Sequence, residues 1–282
     1  MTEAELVRAV IDNRFNGVEF VLPDEIEKKG IFDPSNAAAI KRSLADRKVV
    51  LAALNSALNI AEYSPSSVKK LTDCITLAVN LGVENVTVYS KGAKNKDDAV
   101  KLLAEILPLA EKYNKQILIE SRDDYARTDA LSELLNSFAC DDIRACWDAC
   151  ATALAGEEPK DSIRNLGAYV SLVHVSDVDE KGPVLFGEGI LPIKELVNAL
   201  DSINYAGQIV LVWDKTIYPE YDIDVILTQF AHTIKNYQNE KNKKHLYYNL
   251  RHTGRYVWKR KPLSTALSAK FSTLWRKSFP TK

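Results

Sequence analysis

The chain has 282 residues, 46% of them hydrophobic and 27% charged, which is enough to bury a full core and too apolar for a disordered protein. Its four cysteines, Cys74, Cys140, Cys146 and Cys150, lack CxxC spacing, and no apolar run reaches the length of a membrane span, so the sequence reads as a reduced, cytoplasmic protein without a membrane anchor. The net charge of -1 hides an asymmetry: residues 241–282 hold 12 of the 37 Lys and Arg and none of the 38 Asp and Glu, leaving 25 basic against 38 acidic groups in the first 240.

In chain order, a helix-like segment from Glu3 to Asn13 comes first, followed by a short β-rich run, Gly17–Leu22. Further runs of that kind follow at Val49–Leu54, Val83–Tyr89, Gln116–Glu120, Ile143–Asp148, Val170–Val175 and Gln208–Trp213. Between them lie helical stretches with apolar residues three and four apart, as in Val68, Leu71, Ile75 and Val79, or Leu102, Leu103, Ile106 and Leu109. Ser66, Asp97 and Thr128 are candidate N-caps for these helices.

Seven βα units at intervals of roughly 30 residues predict a parallel sheet closed into a barrel. No Gly-rich phosphate turn follows any strand, which counts against a nucleotide-binding open sheet. A (β/α)8 barrel needs eight strands, and the chain opens on a helix where a first strand is expected. The sequence leaves three solutions open: a shortened N-terminus, a replacement by another segment, or an open ring.

Several landmarks stand in one order: Gly17-Val18-Glu19-Phe20, Ala78 to Val83, Ile117-Leu118-Ile119-Glu120, Trp147-Asp148 with Gly156-Glu157-Glu158-Pro159, Val173-His174-Val175-Ser176-Asp177, Gly187-Glu188-Gly189, and Tyr205 to Trp213. Together they resemble the xylose isomerase-like superfamily of sugar isomerases and epimerases over about residues 15–235. The resemblance implies a (β/α)8 TIM barrel and a metal-assisted sugar or sugar phosphate isomerase or epimerase working through an enediolate. It further implies a divalent ion (Mn, Mg, Co or Zn) held by Glu120, Asp148 and His174, with Glu120 also the base and Glu19 and Arg122 turned toward the substrate.

The pattern is eroded. The fourth ligand position is Val212, the second strand-six histidine is Ala151, and Arg122 stands where relatives often have histidine. Asp214, two residues beyond Val212 on the same strand face, is a candidate substitute. Arg122 and Lys181 are also read as groups that could meet a phosphate or carboxylate. The alternative reading is a non-catalytic barrel serving as a binding or docking module.

The expected division is a barrel domain over residues 1–238 and a basic, aromatic-rich extension or linker over 239–282. The tail reads as an arm that docks a second domain or partner protein, in preference to nucleic acid. Residues Phe271 to Pro280 faintly resemble the opening of adenylate-forming ligases, which implies a larger fusion.

Overall fold

The computed structural model describes residues 3–13, 15–22, 33–95, 97–213, 221–252 and 264–269. Its frame is a ring of parallel strands, taken up in chain order by β1 (Gly17–Val21), β2 (Val50–Asn59), β3 (Asn85–Tyr89), β4 (Gln116–Glu120), β5 (Ile143–Asp148) and β6 (Val170–Val175). A two-stranded antiparallel hairpin, β7 (Asp177–Asp179) with β8 (Gly182–Val184), leaves the ring after β6, and β9 (Gln208–Trp213) rejoins it beside β6. The last strand, β10 (Ser264–Ala269), lies parallel between β9 and β1 and closes the barrel.

The eighth place in the ring is thus filled from the C-terminal side, the second of the three solutions the sequence left open. The helix α9 (Ile223–His252) runs without interruption across position 238. Asp214 and the segment Phe271 to Pro280 lie outside the described residues.

Helices cover the outer face. They are α1 (Glu3–Asp12), α2 (Ala37–Asp46), α3 (Pro65–Leu81), α4 (Asp97–Tyr113), α5 (Thr128–Phe138), α6 (Ala149–Leu154), α7 (Pro159–Leu166), α8 (Ile193–Ser202) and α9. The α3 start shows how local chemistry sets an element. Ser64 rather than Ser66 is the N-cap: its hydroxyl accepts from Ser67 N at 3.1 Å, the Ser67 hydroxyl accepts from Ser64 N in return, and Pro65 supplies a first residue that needs no N–H partner. The same helix ends on Gly82 at φ +74, where a Cβ would lie 2.8 Å from Lys41 Nζ.

Inside the ring, side chains alternate between the barrel lumen and the surrounding helices. Ala52, Ala53, Leu118, Cys146, Leu172 and Val210 form an apolar cluster separate from the main core. Two residues further along β4, β5 and β6, on the same strand faces as Leu118, Cys146 and Leu172, stand Glu120, Asp148 and His174. A polar layer therefore rests on an apolar plug, and the plug denies that layer solvent from below.

Candidate functional site at the barrel mouth

Six buried polar side chains from six strands make the layer: Glu19 on β1, Asn55 on β2, Thr87 on β3, Glu120 on β4, Asp148 on β5 and His174 on β6. Glu19, Glu120 and His174 have no exposed surface, and charged groups are rarely buried so fully unless other groups satisfy them.

Two pairings account for most of them. His174 Nε2 lies 2.8 Å from Glu19 Oε2, and the Thr87 hydroxyl donates more weakly to Glu19 Oε1 at 3.4 Å. Glu120 accepts from Asn55 Nδ2 at 2.7 Å on one oxygen and from Arg122 Nε at 2.6 Å on the other. Asn55 is itself held in place, because its Oδ1 accepts from Ala57 N at 3.0 Å. Sequence reasoning passed over Asn55; the signal for it was a polar residue in an apolar strand, at the end that meets the mouth.

Arg122 is the hub of the charged groups. Its Nη1 donates to Asp123 Oδ2 at 2.8 Å, Asp123 Oδ1 meets Lys91 Nζ at 3.0 Å, and the guanidinium carbon sits 4.0 Å from the centre of the Tyr89 ring. Burial alone would lower the pKa of Arg122. The carboxylates of Glu120, Asp123 and Asp148 outweigh burial and raise it, so the guanidinium stays charged.

Asp148 is placed differently. Its Oδ1 accepts from Ala151 N at 3.0 Å and so caps α6, while its backbone N–H donates to the Ser121 hydroxyl at 2.8 Å. Among the described residues the side chain of Asp148 accepts a hydrogen bond at Oδ1 alone. Cys150 nearby is not a thiolate candidate, since burial pushes its thiol to about 12, reinforced by Asp148. Lys181 is exposed in the turn between β7 and β8, with its backbone N–H on Asp179.

The expected ligands Glu120, Asp148 and His174 thus occupy neighbouring strands but are engaged in three separate contacts. Among the described residues no group of three His, Cys, Asp or Glu side chains is arranged to hold a metal ion. A permanently charged guanidinium lies against Glu120, and Val212, expected from the resemblance to stand where a fourth ligand would be, is buried and apolar. In this arrangement the residues do not fit a divalent ion, because Arg122 would repel it and three of the four carboxylate oxygens of Glu120 and Asp148 already accept hydrogen bonds.

Among the described residues no helix is long and apolar enough to cross a membrane. A family model described as xylose isomerase-like TIM barrel matches residues 7–225. No curated protein sequence matches the chain. Solved structures share the fold at low identity. An L-ribulose 3-epimerase superposes with a TM-score of 0.72 at 15% identity, covering 90% of this chain and 95% of its own. A D-tagatose 3-epimerase-like protein gives 0.70 at 19%, covering 86% and 96%. A probable 3-DHS dehydratase from Bacillus anthracis gives 0.67 at 15%, covering 83% and 94%. One fold therefore carries epimerisation in one neighbour and dehydration in another, and the reaction of this chain has to be argued from its own residues.

Proposed function

The chain belongs to the xylose isomerase-like TIM barrel family, and from that footing we propose that it is an isomerase- or epimerase-like protein acting on a small sugar or sugar phosphate by proton transfer through an enediolate. One observation carries the reading: proton-accepting groups from separate strands, Glu19, Glu120, Asp148 and His174, share one mouth with a fixed cation, above a sealed apolar plug. The epimerase neighbours support the same class of substrate.

The chemistry such a mouth has to perform is limited. A C–H bond next to a carbonyl breaks, its proton passes to a base, and its electrons form the carbon–carbon double bond of an enediolate while negative charge moves to the carbonyl oxygen. The proton then returns to the same carbon, or to its neighbour with the hydroxyl proton passing to the former carbonyl oxygen as the new carbonyl forms. A positioned base contributes about 10²–10⁴-fold to such a step, and a cation or hydrogen-bond donor at the oxygen contributes comparably.

Glu120, the base expected from the sequence, has both oxygens committed to Asn55 and Arg122. Asp148 Oδ2 accepts from no described residue, and we assign the proton-accepting role to Asp148, with Glu120 positioning Arg122. The residues do not fit a divalent ion, which leaves Arg122 as the cation for the developing negative charge.

The test is hydrogen exchange. Purified protein is incubated in D2O with free and phosphorylated five- and six-carbon ketoses, and loss of the carbon-bound proton signal next to the carbonyl is followed by NMR. Exchange is expected in the wild type and a drop of about 10²–10⁴-fold in Asp148→Asn. A drop confined to Glu120→Gln would return the base to Glu120. No exchange with any sugar would sink the enzymatic reading and leave a binding module.

A further inference from the structure

We infer that Arg122 is the oxyanion-binding cation of this mouth, taking a ligand with two neighbouring oxygens in one plane, the enediolate of a sugar or an α-hydroxy carboxylate. The reaction named for that ligand rests on the proposed function; the binding assignment does not.

Arg122 is fixed before any ligand arrives. Three of the faces of Arg122 are engaged: Nε by Glu120, Nη1 by Asp123 and the flat of the guanidinium by the Tyr89 ring. A long side chain that would otherwise sample many rotamers is held in one, so binding a ligand costs it little further ordering. Nη2 makes no hydrogen bond among the described residues, and the side chain keeps 16% of its surface. An edge of the fork is left to an incoming oxygen.

The backbone around it is constrained as well. Asp123 sits at φ +52 and Ala57 at φ +49, both in the left-handed region that non-glycine residues seldom adopt. Each residue's neighbourhood orders the same cluster. The turn at Asp123 turns its carboxylate to both Arg122 and Lys91, and the turn at Ala57 lets its N–H hold Asn55 against Glu120. Two of the six described non-glycine residues at positive φ thus lie on the chain of contacts that ends at Arg122, and such conformations persist where the surrounding structure fixes them.

Charge singles it out too. Glu19, Glu120, Asp123 and Asp148 crowd this end of the barrel, and Arg122 and Lys91 are the basic groups that the described contacts place among them. A developing oxyanion needs a positive group that has not been fully spent on a single partner. Arg122 is the more buried of the two, with 16% of its side chain exposed against 35% for Lys91, and it is the one that contacts Glu120 directly.

The experiment uses glycolohydroxamate, a planar mimic of an enediolate, titrated in buffer containing EDTA. Wild-type protein is compared with Arg122→Lys, which keeps the charge and loses the fork, and with Arg122→Met. We expect saturable thermal stabilisation of the wild type, a dissociation constant raised at least about tenfold in Arg122→Lys, and no saturation in Arg122→Met. Should Arg122→Met fail to fold, the guanidinium Nε–H signal of the wild type, which is expected to shift on titration, gives the same reading by NMR.

Equal affinity in all three proteins would overturn the assignment, and so would a wild-type response that emerges only when Mn²⁺, Co²⁺, Mg²⁺ or Zn²⁺ replaces EDTA. The hydrogen-exchange assay separates the two ideas. Arg122-dependent binding without exchange on any sugar would preserve the cation and discard the reaction, whereas exchange unaffected by Arg122→Lys would discard the cation and preserve the reaction.

Discussion

Asp177 and Glu120 are both carboxylates buried at the mouth end of the barrel, and they are satisfied in opposite ways. Asp177, at the start of β7, accepts only from backbone: Val178 N and Leu191 N on one oxygen, Gly187 N and Gly189 N on the other, all between 2.9 and 3.1 Å. Glu120 accepts from the side chains of Asn55 and Arg122. Backbone donors cannot leave without unfolding the loop, whereas a side-chain donor can rotate away. The first kind of carboxylate holds a loop, and the second can take part in chemistry.

The largest effect is expected at Asp177. Asp177→Ala orphans four backbone N–H groups in a region with little access to water, and it should cost about 3–5 kcal/mol in urea unfolding. A loss below about 1 kcal/mol would mean that water replaces the carboxylate and that the loop holds itself.

Next in size is Gly189→Ala. A Cβ there would stand 2.3 Å from Asp177 Oδ1 and 2.3 Å from Val178 O, and the second of these is backbone that has little freedom to yield. About 2–3 kcal/mol is expected in the same measurement. Combined with Asp177→Ala, the penalty should be less than additive, because the Asp177 clash disappears with its carboxylate.

Glu120→Gln keeps the shape of the side chain and removes its charge. Arg122 retains Asp123 and Tyr89, so stability should fall by only about 1–2 kcal/mol, less than at Asp177. Hydrogen exchange should fall as well, through displacement of Arg122. A stability loss as large as that of Asp177→Ala would show that Glu120 is as structural as Asp177.

This difference between carboxylates was not legible in the sequence. Glu120 and Asp177 both stand in family-like landmarks, and the donors that distinguish them come from Asn55, 65 positions away, and from glycines in a loop. The ring itself was more legible. Gln116–Glu120, Ile143–Asp148, Val170–Val175 and Gln208–Trp213 are strands over those spans, because each is a short, largely apolar run carrying β-branched residues.

Where polar side chains replace a hydrophobic pattern, the reading stopped short. The strand β2 continues past Leu54 to Asn59 because Asn55, Ser56 and Asn59 bond backbone groups themselves, as Ser56 does to Thr87 O at 2.7 Å and Asn59 Nδ2 to Lys91 O at 3.0 Å. The closing strand β10 has little signal in the sequence because Ser264 to Ala269 holds one large apolar residue, Leu267, among small ones inside a basic tail, and only the gap between β1 and β9 gives it a role. Glu19 and His174 were each singled out, but their pairing crosses the barrel over 155 positions and has no local signature.

The smallest effect falls on Asp124, which combines both kinds of partner. Its carboxylate accepts from the Ser90 hydroxyl at 2.8 Å, from Gly92 N at 2.9 Å and from Ala93 N at 3.0 Å, bracing the loop after β3 against the turn after β4. Burial raises its pKa, but the hydrogen bonds from Ala93, Gly92 and Ser90 and the charge of Lys91 outweigh it, and the folded value stands below the ordinary 3.8. A depressed carboxylate stabilises the fold fully above its unfolded value and loses that contribution as pH falls through the folded one. Asp124→Asn should therefore be less stable than the wild type at neutral pH, by about 1 kcal/mol or less because the group is largely solvated. The two curves should converge below about pH 4. Parallel curves down to pH 2 would show that the carboxylate's charge contributes nothing there and that the backbone donors alone hold the two loops together.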